Sequence, residues 1–141
     1  MTQSFKDILA WKKAHEFVLN VYRTTNDFPT HERFGLCSQF QRAAVSIPAN
    51  IAEGYKKLSK ADKLRFLNIA QGSLDECRYY ILLSKDLNYI TDSIYYELTR
   101  SIEDVSFLLN AYCKGIINKK WENKRNKQQN IWLVTPFSSL Q

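Results

Sequence analysis

Residues 42–54 read RAAVSIPANIAEG, a run of small and aliphatic residues that four polar residues interrupt. The polar positions recur at intervals of four, four and three: Arg42, Ser46, Asn50 and Glu53. This spacing places all four on one face of a helix, and we call them the polar ladder. The apolar remainder predicts a helix that is buried over much of its surface, with Pro48 in its middle.

Helical periodicity extends on the N-terminal side of this stretch. Apolar residues recur at three and four positions over about residues 5–26, which predicts an amphipathic first helix. Ser4 and Asp7 have the spacing of a capping pair at its start. Thr30 precedes the second helix, which contains the polar ladder. Pro48 removes a backbone donor, so we expect this helix to bend about one turn before it.

The C-terminal side contains two further helices. Ser59 is predicted to cap a third helix over about residues 60–88, and Thr91 a fourth helix that ends near Asn118. None of this sequence alternates convincingly as a strand does. Four helices of about 20 to 29 residues with short links predict an all-α protein. Its expected architecture is an antiparallel up-down-up-down four-helix bundle over residues 5–118.

Charge is distributed unevenly along the 141 residues, whose formal net charge is +6. Residues 1–118 hold 15 Lys/Arg and 13 Asp/Glu, a net charge of +2, whereas residues 119–141 hold five Lys/Arg and one Glu, a net charge of +4. The segment 119–141 is basic at first and then apolar, and Pro136 forbids a continuous helix through it. We expect it to be either flexible or docked.

Several classes of protein are disfavoured by composition. The three cysteines, Cys37, Cys77 and Cys113, are odd in number and widely spaced, as expected of reduced thiols. No Glu-x-x-His pair of di-metal bundles occurs, and we expect no metal and no cofactor. No run of about 18 apolar residues and no signal peptide occurs, so we expect a cytoplasmic protein that does not enter membranes. His15 lies on an apolar face and is expected to be a hydrogen-bonded core or interface residue.

The polar ladder acquires partners if the second and third helices fold back near Leu58. Positions whose numbers sum to about 116 are then level, which predicts two interhelical ion pairs, Arg42–Glu76 and Glu53–Lys63. Ser46 would face Ala70, and Asn50 would bond the carbonyl of residue 44. We interpret the ladder and Glu76 as polar groups that fix the register of a bundle or interface. The alternative is a binding or catalytic role, but no substrate cleft is evident, so we expect no enzyme.

A resemblance to a known family rests on three stretches of this sequence. They are DILAWKKAHEFVLNVY, FP-x2-ERFGL-x2-Q-x2-RAAVSIPANIAEGY and RFLNIAQGSLDE, and the resemblance as a whole covers about residues 5–118. The chain resembles the bacterial four-helix-bundle proteins named after the intervening sequences of large-subunit ribosomal RNA genes. The resemblance implies left-handed antiparallel bundles that assemble as homopentamers. A related branch comprises the accessory proteins of diversity-generating retroelements, which bind nucleic acid and a reverse transcriptase.

Two functions remain open at this stage. The first is a structural or protein-interaction module, which we favour because many tyrosines are available for interfaces: Tyr55, Tyr79, Tyr80, Tyr89, Tyr95 and Tyr96. The alternative is a nucleic-acid-binding accessory protein, most simply for RNA, that uses basic residues around the second link and in the tail. The candidate contacts to phosphate are Lys56, Lys57, Lys60, Lys63, Arg65, Lys119, Lys120, Lys124, Arg125 and Lys127.

Overall fold

The computed structural model describes the backbone of residues 3–134 and the side chains of residues 3–119. The chain forms four α-helices: α1 (Leu9–Thr25), α2 (Leu36–Lys56), α3 (Lys60–Asp86) and α4 (Asp92–Val134). Short 3-10 turns at Phe5–Asp7 and Thr30–Glu32 precede α1 and α2. Over the described backbone there is no strand. The predicted all-α four-helix fold is confirmed.

Side chains cap the first 3-10 turn, α3 and α4, whereas the N-caps of α1 and α2 make no side-chain hydrogen bond. The predicted start of the second helix directly after Thr30 was wrong, because α2 begins at Leu36. Ser4 and Asp7 form the predicted reciprocal capping box ahead of α1. Ser59 and Thr91 each accept a hydrogen bond from the backbone N–H three residues later, at 3.1 and 3.2 Å. Each cap satisfies a backbone donor that the first helical turn leaves without a partner. Local sequence therefore determines where α3 and α4 begin.

The core lies between the four helices. Each helix packs against two others, α1 and α3 each lying between α2 and α4, and the most extensive contact joins α2 to α3. Along that contact the partner numbers fall on α3 as they rise on α2. A bend at Pro48 and the antiparallel order of the whole bundle stay predictions. The largest fully buried side chains come from all four helices: Phe17, Phe40, Ile47, Ile51, Leu67, Ile81, Leu98, Ile102 and Leu109.

The fourth helix extends beyond its predicted end near Asn118. It has 43 residues and continues to Val134, because no Gly or Pro interrupts residues 116–134. The part beyond Lys119 extends the helix axis by about 22 Å. Pro136 and the rest of the tail, 135–141, lie outside the described residues. No helix in the described part of the chain is both long and apolar enough to cross a membrane.

Candidate interaction surfaces

The centre of the polar ladder is a hydroxyl pair between α2 and α3. Ser73 Oγ donates to Ser46 Oγ at 2.7 Å, and Asn50 Nδ2 donates to the same oxygen at 3.0 Å and to the Ser46 carbonyl at 2.7 Å. The predicted partners were wrong: Ser46 meets Ser73 rather than Ala70, and Asn50 bonds residue 46 rather than residue 44. The extended link residues between the helices displace α3 by most of a helical turn from the predicted register.

One end of the ladder forms the predicted ion pair. Arg42 Nη2 lies 3.3 Å from Glu76 Oε2, and both side chains are largely exposed. An exposed pair of this kind contributes at most about 1 kcal/mol to stability, because water screens both charges.

The other end of the ladder differs from prediction. Glu53 pairs with Lys57 at 3.7 Å, not with Lys63. Lys63 Nζ instead donates to the Tyr55 carbonyl at 2.6 Å and to the Gly54 carbonyl at 3.4 Å. These carbonyls belong to the last turn of α2, which leaves its acceptors without helical partners, and a nearby ammonium group satisfies them. Burial lowers the pKa of Lys63.

The ladder has no means of activating a nucleophile. Among the described side chains, neither Ser46 nor Ser73 contacts a histidine or a carboxylate, which a reactive serine needs to lose its proton. The bonds instead satisfy polar groups inside a helix contact. This arrangement fits a role in specifying how α2 meets α3.

A second polar network, which the sequence reasoning missed, joins α3 to α4. Arg78 binds both carboxylate oxygens of Glu103, at 2.8 and 2.9 Å. It also donates to Asp75 at 2.6 Å and to Ser106 at 3.0 Å. The hydrogen bonds from Arg78 lower the pKa of Glu103. The sequence could have predicted this contact, because folding the third and fourth helices back on each other near residue 90 places positions 78 and 103 at the same height.

Residues 6–111, which contain the polar ladder and the Arg78 network, match the family model described as 23S rRNA-intervening sequence protein. The chain belongs to this family. A solved structure from Bacteroides thetaiotaomicron VPI-5482, described as a protein with unknown function from the S23 ribosomal protein family, is similar to it. The two are 28% identical with a TM-score of 0.71, over 77% of this chain and 98% of that one. No curated protein matches the chain.

In this intervening-sequence protein, five predicted basic residues gather around the link between α2 and α3. We call them the basic link: Lys56, Lys57, Lys60, Lys63 and Arg65. Most of this group lies against the protein itself, and the Lys60 ammonium group is buried. Lys57 and Arg65 lie over the Phe66 ring, 4.8 and 4.7 Å from its centroid, and Lys63 caps α2. Lys56 is exposed.

The basic segment that follows the bundle emerges at the same end. Gln71 Nε2 donates to Asn110 Oδ1 at 2.9 Å, and Arg78 contacts Glu103. In both contacts the two residue numbers sum to 181, so a residue of α3 and a residue of α4 lie at the same height when their numbers sum to about 181. In this register Lys119, which is exposed, is level with Asp62 in the first turn of α3, at the end of the bundle that carries the basic link. The candidate side chains of Lys120, Lys124, Arg125 and Lys127 lie outside the described residues.

Large aromatic side chains are exposed where α3 borders α4. Tyr79 is 58% exposed, Tyr96 69% and Phe107 74%, and we call these three the aromatic face. Tyr96, Glu103 and Phe107 share one side of α4 because seven and four residues separate them. Arg78, the residue before Tyr79, reaches Glu103, which places α3 beside this side of α4. The Tyr79 ring points about 100° away from Arg78 around α3.

The other predicted tyrosines are half-buried and pack against the protein: Tyr55, Tyr80, Tyr89 and Tyr95. Tyr80 packs against Phe40, with 5.9 Å between ring centroids, and Tyr89 packs against Phe28 at 5.3 Å. The number of tyrosines in the sequence therefore overestimated how much aromatic surface is exposed. Phe107, the most exposed member of the aromatic face, was not singled out from sequence.

An apolar groove runs between α1 and α2. His15 was expected in a core or interface; the structure places it at the exposed rim of this groove, stacked on Trp11 with 5.2 Å between centroids and 7° between planes. We call the depression, of about 290 Å³, the α1–α2 groove; its lining residues are Phe5, Trp11, His15, Val18, Val45, Pro48, Ala49 and Ala52.

The thiols are free and shielded. Cys37, Cys77 and Cys113 form no disulfide. Burial raises the pKa of each thiol, most strongly for Cys77, so all three are protonated at neutral pH. Within the described residues, no group of three or more His, Cys, Asp or Glu side chains is arranged to hold a metal ion.

Proposed function

We propose that this protein is a non-catalytic interaction module, a helical bundle that binds a protein partner through the aromatic face. The observation that supports this most directly is the exposure of Tyr79 on α3 and of Tyr96 and Phe107 on α4, the helix that packs against α3. Aromatic side chains are enriched among the residues that dominate binding energy at protein interfaces. Burying a side chain such as Phe107 stabilises a complex by about 1.5–3 kcal/mol.

The surroundings of the aromatic face suit a rigid interface. The bidentate Arg78–Glu103 contact joins α3 to α4, one residue from Tyr79 and one helical turn from Phe107. Because these charges already satisfy each other, a partner covers them without leaving an unpaired charge. A fixed backbone also reduces the conformational entropy lost on binding.

The proposal includes assembly as a homo-oligomer, for which the family resemblance implies a pentamer. Exposed apolar side chains on more than one face support it, since monomeric proteins rarely expose several such patches. The aromatic face and the α1–α2 groove lie on different sides of the bundle. One face is therefore available for another copy while the second receives a different partner.

The test of partner binding compares affinity-purified complexes of the full-length protein and its variants. We expect the double variant Tyr96→Asp, Phe107→Asp to lose one partner that the unmodified protein retains. When that partner is purified, we expect the Kd of its complex with the double variant to be at least about tenfold higher than with the unmodified protein. Leu19→Asp is the matched control, because Leu19 is also exposed but lies on α1. The proposal fails if no protein distinguishes the variant from the control.

The second candidate function is RNA binding, favoured by the position of Lys119 beside the basic link. Contacts to phosphate would then come from two segments at one end of the bundle. Measuring binding of a fluorescent structured RNA across a salt series tests this, since phosphate contacts make log Kd linear in log salt. Lys56→Glu with Lys119→Glu is expected to remove the binding and leave the aromatic-face complex intact. Absence of binding at low salt excludes this function.

A further inference from the structure

A cavity of about 570 Å³ lies where the chain passes from α1 to α2, and we call it the link cavity. Its lining residues come from the end of α1, the following link and the first turns of α2, and most of the lining surface is polar. A volume of this order is typical of sites for small molecules. The stretch FP-x2-ERFGL, residues 28–36, forms much of this region and belongs neither to the aromatic face nor to the basic link.

The inner wall of the link cavity is buried, and its polar groups are satisfied. Thr25 Oγ1 donates to the Val21 carbonyl at 2.8 Å and accepts a hydrogen bond from Gln41 Nε2 at 3.0 Å. The Cys37 thiol donates to the Thr25 carbonyl at 3.6 Å. These bonds hold the end of α1 against the start of α2 and fix the shape of the cavity.

The outer rim has the opposite character. Four exposed polar side chains line it and make no hydrogen bond or ion pair within the described part of the chain: Asn26, Thr30, Arg33 and Ser38. Their donors and acceptors are therefore free to bond a ligand. Among the described residues that line the cavity, only Arg33 is charged, so the cavity favours an anion.

An aromatic ring, rather than a carboxylate, positions Arg33. Its guanidinium group lies over the Phe34 ring, 5.4 Å from the ring centroid, and Phe34 is 87% exposed. Stacking uses the face of the guanidinium group and leaves the N–H donors at its edge free, in the fork that matches a phosphate group. The acidic residues next to this stretch, Asp27 and Glu32, do not line the cavity.

We propose that the link cavity binds a nucleoside monophosphate, with its phosphate at the Arg33 guanidinium group and its base on the exposed Phe34 ring. A ligand that uses both groups carries an oxyanion and a flat ring in one small molecule, which is the chemistry of a mononucleotide. The free hydroxyl and amide groups of the rim suit the ribose hydroxyls and the edge of the base.

This site is separate from the surfaces of the proposed function. The link cavity lies at the start of α2 and the basic link at its end, and α2 has 21 residues, about 30 Å at the rise of an α-helix. The ligand here is a single nucleotide recognised by stacking and by one guanidinium group. Binding at the basic link would depend instead on many phosphates of a polymer.

Isothermal titration calorimetry of the full-length protein with the monophosphates of adenosine, guanosine, cytidine and uridine tests the proposal. We expect saturable binding of at least one of them. We expect the nucleoside with the same base, and inorganic phosphate, each to bind at least about tenfold more weakly. The inference is overturned if none of the monophosphates binds saturably at millimolar concentration, or if the nucleoside binds as tightly as its monophosphate.

Two variants at exposed positions separate the two contacts. Arg33→Gln is expected to raise the Kd of the monophosphate at least about tenfold and to leave the Kd of the nucleoside unchanged. Phe34→Leu is expected to raise the Kd of both by the same factor, at least about fivefold, and to leave binding of inorganic phosphate unchanged. A Kd for the monophosphate that neither change alters places the ligand elsewhere and overturns the inference.

Matched controls use an arginine and an aromatic residue of α1. Arg23 and Tyr22 are exposed near the same end of the bundle, and neither lines the link cavity. We expect Arg23→Gln and Tyr22→Leu to bind the monophosphate as the unmodified protein does. A loss of binding in the controls equal to that in the cavity variants overturns the assignment to the link cavity.

A last variant separates this site from RNA binding. We expect Lys56→Glu with Lys119→Glu to leave the Kd of the monophosphate unchanged, because both lysines lie at the other end of the bundle. Loss of monophosphate binding in this variant overturns the inference. Loss of RNA binding alone leaves the link cavity as a separate nucleotide site.

Discussion

Gly54 on α2 and Gly72 on α3 provide a test of how closely these two helices approach, because the same Gly→Ala substitution can be made at each position. A Cβ atom at Gly54 would lie 3.2 Å from the Lys63 carbonyl oxygen and 3.3 Å from Phe66 Cβ. A Cβ at Gly72, on the exposed side of α3, would meet nothing within 4 Å. Gly→Ala in a helix gains at most about 1 kcal/mol from backbone entropy, whereas overpacking costs about 1–3 kcal/mol.

We expect Gly72→Ala to raise the free energy of unfolding by about 1 kcal/mol and Gly54→Ala to lower it by about 1 kcal/mol. The difference arises because the Lys63 carbonyl belongs to helix backbone and does not yield as a flexible side chain does. Urea unfolding at one fixed protein concentration measures both values, since assembly would otherwise alter them. Equal stabilisation by the two changes would refute close approach of α2 to α3 at Gly54.

Three further predictions concern side chains. Arg78→Met is expected to lower the free energy of unfolding by about 1 kcal/mol. The pKa of Glu103 is lowered in the folded protein, so the stabilisation by Arg78 is present above the ordinary glutamate pKa and is lost as pH falls through the folded pKa. Urea midpoints of the unmodified protein and the variant between pH 3 and about pH 7 measure this dependence. A destabilisation that is the same at every pH contradicts it. Ser59→Ala is expected to cost about 1 kcal/mol in urea, since it removes the α3 cap; an unchanged midpoint contradicts the cap. In alkylation at pH 8 followed by mass spectrometry, we expect half-buried Cys113 to react before fully buried Cys77; early modification of Cys77 contradicts its burial.

The fold was predictable because its signals are local. Ser4, Ser59 and Thr91 lie one turn ahead of apolar periodicity, and all three cap helices in the structure. Hydrophobic spacing of three and four fixes which face of each helix is buried. The end of α4 was placed too early, since a change in composition at residue 119 does not end a helix that contains no Gly or Pro.

Contacts between helices were predictable only within one helical turn. Folding the chain about its second link placed Arg42 correctly beside Glu76, because long side chains tolerate a small error in register. The same reasoning failed for Ser46, whose short side chain reaches only the residue directly opposite. The predicted pair of Lys63 with Glu53 was wrong for a different reason. Backbone carbonyl groups compete with carboxylates for an ammonium group, and the sequence does not reveal which carbonyl groups are available.

Exposure was the property least accessible from sequence. His15 has the spacing of an apolar face, yet it lies at the rim, because stacking on Trp11 needs only one side of its ring to be covered. Phe107 lies two residues from both Val105 and Leu109, which is about 200° around a helix, so the apolar period that predicted the buried stripe also places this ring away from it. The angular position of a side chain about its helix depends on packing of the whole bundle, and this position determined the candidate interaction surfaces.

The extension of α4 past the other helices makes the two ends of the bundle inequivalent. In any cyclic assembly whose symmetry axis follows the bundle, every copy projects this extension from the same rim. Residues 119–141, which begin with this extension, carry a net charge of +4 out of the +6 of the whole chain. Such an assembly has a polar axis, and most of its excess positive charge belongs to the segments at one end.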